Sequence, residues 1–299
     1  LGTIEALFAW LKATYDPRAI LAGWGAIAVA YFVLHVFERV APAEKGQKYF
    51  GMLTNGWITT AYLLLLPLAM FFPTQIVNAA VQWAGGPWIE LNLGKFLEAQ
   101  IKPVRMLLLL PVALVPIFVF DFFYYWFHRF QHTNAWLWEQ HKLHHTDVSL
   151  NVTTSLRHHW TEEGLRAFII TIPMNSLLKI SPVEAGVIGI LIGQWGYFIH
   201  ANLRLQLGPL TRVLVGPQAH RIHHSIEPHH IGKNLAAFFP IWDILFGTFH
   251  KPARNEFPAT GVEALPSNPT VREALFGPFI AWWTMTSQRL GRSVSTRGE

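Results

Sequence analysis

The sequence predicts an all-α integral membrane protein with about four transmembrane helices, set in hairpins beneath a polar, cytosolic helical cap. Three observations predict it. Charged residues make up 14% of the 299 residues, against roughly 25% in soluble proteins. Apolar residues, 52% of the chain, fall in long runs of the kind that cross membranes. Thirteen tryptophans add a residue that concentrates at membrane–water interfaces.

Each element follows in chain order. Residues 1–15 place Ile4, Leu7, Phe8 and Leu11 on one face, which predicts a short amphipathic helix at the interface. Asp16-Pro17 is a helix-start signal. Residues 20–40 are almost wholly apolar and long enough for the ~30 Å hydrocarbon core. A polar loop with Glu38, Arg39, Glu44, Lys45 and Lys48 follows. Residues 57–72 form a second span, broken near its end by Pro67 and Pro73. Residues 75–100 read as an interfacial helix and loop, with a turn at Gly85-Gly86-Pro87. Residues 104–127 form the third span, kinked at Pro111 and Pro116, and run directly into His128. Residues 165–180 and 182–200 predict a hairpin that enters and leaves the bilayer on one side. Between and after these lie two polar blocks, 131–163 and 202–248. A Pro-rich tail then ends in an amphipathic segment, 271–290, with Trp282, Trp283 and Phe279 suited to the membrane surface.

The chain thus divides into residues 1–127 (interfacial helix and three spans), a histidine-rich cap (128–163 and 200–249), a membrane hairpin (164–199) and an interfacial tail (250–299). The hairpin puts both polar blocks on one side, together with the 38–48 loop. Arg39, Lys45, Lys48, Arg129, Lys142, Arg204, Arg212 and Arg221 lie there, so the positive-inside rule makes that side the cytoplasm. The net charge of +5 is otherwise scattered, including Arg289, Arg292 and Arg297 in the tail. It forms no basic stripe interleaved with exposed aromatics, and a nucleic-acid partner is not expected.

The polar blocks carry the chemistry. His128 and His132 are four apart, and His141, His144 and His145 form H-x-x-H-H, which returns as His220, His223 and His224. Random placement of 15 histidines would give about 0.04 copies of that triplet. On a helix these spacings share one face. With His200, nine imidazoles result, too many for one ion and suited to two. There is no cysteine, so disulfides, iron–sulfur clusters and thiolate haem are excluded. A redox metal pair held without thiolates points to iron. His159 is a further candidate ligand, with Arg157 and Glu162 behind it, and Asp121 stands where it can orient an imidazole. His229, His230 and His250 read as surface residues, and His35 as a packed or interfacial one. A metal transporter or other metal-binding membrane protein is the rival reading, but its ligands belong near the bilayer midplane. A metallohydrolase wants H-E-x-x-H, which is absent.

His128–His132 (HRFQH), His141–His145 (HKLHH) and His220–His224 (HRIHH) resemble the three histidine boxes of the fatty acid hydroxylase/sterol desaturase superfamily. Ile241–Thr248 (IWDILFGT) is similar to the W-D-x-L-F-G-T signature that follows the last box. Arg157–Glu162 (RHHWTE) resembles R-x-H-P-x-E, with Trp160 in place of proline, and His200–Asn202 (HAN) resembles H-x-N. The likeness covers roughly residues 120–249. Gly196 stands where the fatty acid 2-hydroxylase branch has a histidine, so the chain looks closer to the sterol-desaturase-like branch. The resemblance implies two iron ions (zinc as a purification substitute), O2 as co-substrate and hydroxylation or desaturation of a sterol, fatty acyl or other isoprenoid or alkyl lipid. It implies His128, His132, His141, His144, His145, His159, His200, His220, His223 and His224 as ligands, supported by Asp121, Arg157, Glu162, Asn202 and Asp243. No flavin or nicotinamide fingerprint is present. Electrons are therefore expected from a separate ferredoxin, rubredoxin or cytochrome with its reductase, docking on a basic patch near Lys142, Arg204 and Arg221.

Overall fold

In the computed structural model, residues 2–47, 49–90 and 93–295 are described; Lys48 and Arg297 lie outside them. The short helix α1 (Gly2–Thr14) packs on the third helix through Trp10 and Phe71, whose rings meet edge to face at 5.5 Å. Asp16 then caps α2 (Pro17–Val40), its carboxylate accepting the Arg18 N–H at 2.9 Å. Proline at the first position loses only an N–H that has no helical partner.

Among the described residues, three helices are long and apolar enough to cross a membrane: α2, residues 50–83 of α3 (Tyr49–Trp83) and α5 (Lys102–Thr133). A short α4 (Leu93–Glu98) precedes the last of these. The second span was expected to break near Pro67 and Pro73, yet α3 runs through both to Trp83. Each proline removes one backbone bond, but tertiary packing continues past it, with Phe71 and Val77 buried on either side of Pro73. Helix α5 likewise runs unbroken through Pro111 and Pro116. Its 32 residues extend about 48 Å. That leaves roughly 18 Å beyond a ~30 Å hydrocarbon core, and the polar end carries His128 and His132.

The cap is built from short pieces. Asn134 ends α5 and begins α6 (Ala135–His145), its side chain accepting the Trp136 and Leu137 N–H groups. The first arm of the predicted hairpin is broken into α7 (Glu162–Arg166), a π turn (Ala167–Thr171) and α8 (Ile172–Leu177). Two-residue strands β1 (Ile89–Glu90) and β2 (Leu178–Lys179) pair in parallel and tie that arm to the α3–α4 connection. The second arm is one helix, α9 (Pro182–His200), opened by a Ser181/Glu184 capping box. Helices α10 (Pro217–His223) and α11 (Ile241–Leu245) complete the cap, and α12 (Val271–Ser295) lies against α6. Tyr125, Ile199, Val215, Ala219, Leu235 and Ala236 form a buried apolar cluster joining α5, α9 and α10.

The 38–47 loop shares a side with the histidine blocks. Buried Glu38 accepts the N–H groups of Val152 at 2.7 Å and Asn202 at 2.8 Å, and Glu44 pairs with Arg221 at 2.9 Å.

Candidate metal centre

Four helices deliver nine histidines to one buried place. Their ligand atoms fall into two sets, within each of which all lie inside 4.8 Å of one another. The first holds His128, His132, His141, His145 and His223; the second holds His144, His200, His220 and His224. Helical geometry explains the split. Residues i and i+4 are about 40° apart around the axis, whereas i+3 falls about 60° to the other side. Each H-x-x-H-H box therefore sends its outer pair to one set and its middle histidine to the other. His141 and His145 are joined by His223; His220 and His224 are joined by His144. The third helix of each set differs. Helix α5 supplies a pair, His128 and His132, while α9 supplies His200 alone, because Gly196 occupies the position one turn earlier.

Backbone carbonyls fix three of the rings. His128 Nδ1 donates to Leu235 O at 2.7 Å, His200 Nδ1 to Gly196 O at 2.7 Å and His223 Nδ1 to Lys233 O at 2.9 Å. A carbonyl only accepts, so each Nδ1 carries the proton and each Nε2 presents a lone pair. His128 Nε2 then lies 3.0 Å from His141 Nε2 and 3.3 Å from His132 Nε2. His200 Nε2 lies 3.0 Å from His144 Nε2 and 2.9 Å from His220 Nε2. One lone pair cannot satisfy two such neighbours with protons. A cation bound at about 2.1 Å holds adjacent nitrogens about 3.0 Å apart in octahedral and about 3.4 Å apart in tetrahedral coordination, so the donors fit a metal in each set.

Electrostatics agrees. Burial first, then neighbouring imidazoles, hold His144, His145, His220 and His224 well below the ordinary histidine range. Burial also takes His223 down to about 3, against the opposing bond to Lys233 O. Neutral imidazole is the ligand form.

Carboxylates hold the frame. Asp243 accepts the N–H groups of Leu235 at 2.7 Å and Ala236 at 3.0 Å, and the Thr248 hydroxyl at 2.7 Å. It thereby sets the carbonyl that orients His128. Gly247, at φ +77°, supplies the left-handed turn that returns Thr248 to Asp243. Asp121 accepts three consecutive N–H groups, from Ala237, Phe238 and Phe239. Buried Arg157 donates to Leu143 O, Asn55 Oδ1, Thr146 Oγ1 and Ser267 O, and so fixes the end of the second box. Asn202 bonds to Glu44 through both side-chain atoms.

His159 is the one sequence-predicted ligand that does not join either set. Its Nε2 donates to Leu275 O at 3.0 Å and its Nδ1 meets Thr161 Oγ1 at 2.8 Å. Its neighbour His158 turns inward instead, stacking on His144 with centroids 4.4 Å apart. Glu162 bridges His158 Nδ1 at 3.2 Å and His141 Nδ1 at 3.5 Å. Burial pushes the Glu162 carboxyl up, but these imidazoles outweigh it and hold it well below its usual value. The pointer in the sequence was Trp160, which stands where the motif has proline.

Three other expectations change. His230 is fully buried rather than on the surface, and His250 is only 24% exposed. The basic patch does not form: Arg221 is buried against Glu44, Lys142 pairs with Glu139, and Arg204 lies over the Phe257 ring. His35, as expected, packs beside a partner, Glu38 at 3.0 Å.

Fold and site define an integral membrane protein with a buried, histidine-lined metal centre. Residues 113–248 match the family model described as Fatty acid hydroxylase. An alkylglycerol monooxygenase of Danio rerio is 39% identical over 129 residues, 43% of this chain and 28% of that protein. An ornithine lipid hydroxylase of Rhizobium tropici is 32% identical over 232 residues, 74% of this chain and 65% of that protein. A very-long-chain aldehyde decarbonylase of Oryza sativa subsp. indica is 30% identical over 142 residues, 44% of this chain and 22% of that protein. The chain therefore spans less than a third of the first relative's length and just under two thirds of the second's. No solved structure matches it.

Proposed function

We propose that this chain is a di-iron membrane monooxygenase that hydroxylates an unactivated C–H position of an alkyl or acyl lipid. The observation that carries this reading is the pair of adjacent histidine sets, five donors and four, buried at the polar end of α5. Iron bound there supplies the O2 chemistry that no protein side chain provides. Relatives named as an alkylglycerol monooxygenase and an ornithine lipid hydroxylase support lipid hydroxylation.

The chain's own residues do the rest. Carbonyls of Leu235, Gly196 and Lys233 fix which ring nitrogen faces the centre. Burial keeps the imidazoles neutral, and Glu162 holds His158 by a hydrogen bond and lies 3.5 Å from His141 Nδ1. The apolar faces of α2, α3 and α5 put the centre within reach of a lipid tail in the bilayer. Hydroxylation consumes O2, two electrons and two protons, and releases one water with the alcohol. A separate ferredoxin, rubredoxin or cytochrome system is the proposed electron source. Helix α9 is proposed as a fourth crossing, with the centre on the cytoplasmic face, following the positive-inside rule.

The test is mass spectrometry of lipids from cells with and without the protein, paired with O2 uptake by the purified, iron-loaded chain. A lipid that gains one oxygen only in the presence of active protein supports the reading. Loss of two hydrogens instead would make it a desaturase. Metal flux across liposomes without O2 uptake would refute it in favour of transport.

A further inference from the structure

A second group of ligand-type side chains lies in the loops after the third histidine box, apart from the nine histidines. His230 Nε2 lies 3.0 Å and His250 Nε2 3.1 Å from the same Glu256 oxygen, Oε1. All three ligand atoms fall within 4.8 Å of one another. His230 is fully buried, which is costly for an imidazole without a dedicated partner. Its other nitrogen meets Ser225 Oγ at 2.9 Å, and the second Glu256 oxygen accepts the Ala253 N–H at 2.6 Å. Each of these two residues is thus oriented from behind, as metal ligands are. His229, with its ring 3.9 Å from that of His230, stands beside them and is exposed.

We propose that His230, His250 and Glu256 form a third, peripheral site for a divalent first-row cation such as Zn2+. Two imidazoles and one carboxylate suit that class of ion. A cation at about 2.1 Å sets adjacent donors about 3.0 Å apart in octahedral and about 3.4 Å apart in tetrahedral coordination, close to the two separations seen. The site joins Pro228–His230 to the strand-free segment 250–256. Between them lie Lys233 and Leu235, whose carbonyls orient His223 and His128. Its role is to staple that loop. Two N–H protons shared with Glu256 can meet the same contacts, and metal counting separates the two.

The full chain in detergent is loaded with Zn2+, desalted, and its ions counted by elemental analysis. E256Q and H250A are each expected to carry one ion fewer than wild type. The same difference of one should persist between H145A and H145A/E256Q, whatever the main centre holds, so failure of the di-iron reading stays distinguishable. Equal counts in wild type and both variants overturn the proposal. Should the variants not fold, wild type decides alone. Acylation of His250 by diethyl pyrocarbonate, read by peptide mass spectrometry against His35, should slow several-fold when Zn2+ is added. An unchanged rate overturns the proposal.

Discussion

Asp243→Asn tests how the cap positions the metal ligands. The carboxylate accepts three hydrogen bonds, two at Oδ1 from Leu235 N and Thr248 Oγ1, and one at Oδ2 from Ala236 N. Asparagine keeps one oxygen, so the amide NH2 must face the Ala236 N–H, donor against donor. That removes one charge-assisted bond, about 1.5–3 kcal/mol, and weakens two others by about 1 kcal/mol each. Burial pushes the Asp243 carboxyl up, so removing the charge returns part of this. A net loss of about 2–4 kcal/mol is expected. The consequence for function runs through Leu235, whose carbonyl holds His128 Nδ1 at 2.7 Å. Loss of such an orienting contact typically costs 10–100-fold in metal affinity. Thermal unfolding followed by tryptophan fluorescence and competition with a chromophoric chelator measure the two effects. Thr248→Val, which keeps the carboxylate but loses the hydroxyl bond, should show a smaller version of both. An Asp243→Asn protein with wild-type melting and wild-type metal affinity would refute the reasoning.

Other predictions follow from the same geometry. His145→Ala and His144→Ala remove ligands from different sets, so each should lower bound metal and stop turnover; full activity in either removes that residue from the centre. His159→Ala should leave metal content unchanged and cost about 1 kcal/mol, since Leu275 O keeps the Trp160 indole as a partner. His158→Ala should instead weaken metal binding about tenfold, and a chelator titration that ranks the two variants the other way would reverse the assignment. For the metal-free chain, burial lowers His144, His145, His220, His223 and His224. Depressed histidines contribute stability that is complete above their unfolded value of about 6.5 and is lost as pH falls below it, at up to about 1.4 kcal/mol per pH unit each. Its unfolding should therefore steepen sharply below that pH, and a flat profile would contradict the burial.

The boxes were legible because helical spacing is local. That His141 and His145 share a direction follows from 3.6 residues per turn. The apolar spans were legible because lipid sorts side chains by composition over some twenty residues, whatever they pack against. Boundaries were less so: α3 passes two prolines because neighbouring contacts compensate for lost backbone bonds, and no local signal reports those neighbours. His158 and His159 are adjacent and chemically identical, so only the turn made by the chain around Trp160 decides which one faces the centre. His230 looked like a surface residue in a proline-flanked turn, until Ser225 and Glu256, distant in sequence by 5 and 26 residues, closed around it.

By itself, then, the sequence determined the membrane class, the thiolate-free chemistry and the three histidine registers, because each depends on composition or on spacing within one helix. Helical spacing splits each box, but the tertiary structure decided which pair meets which middle histidine, and so the division of nine into five and four. That division depends on how α5, α6, α9 and α10 cross, and a crossing is set by contacts between residues far apart in the chain.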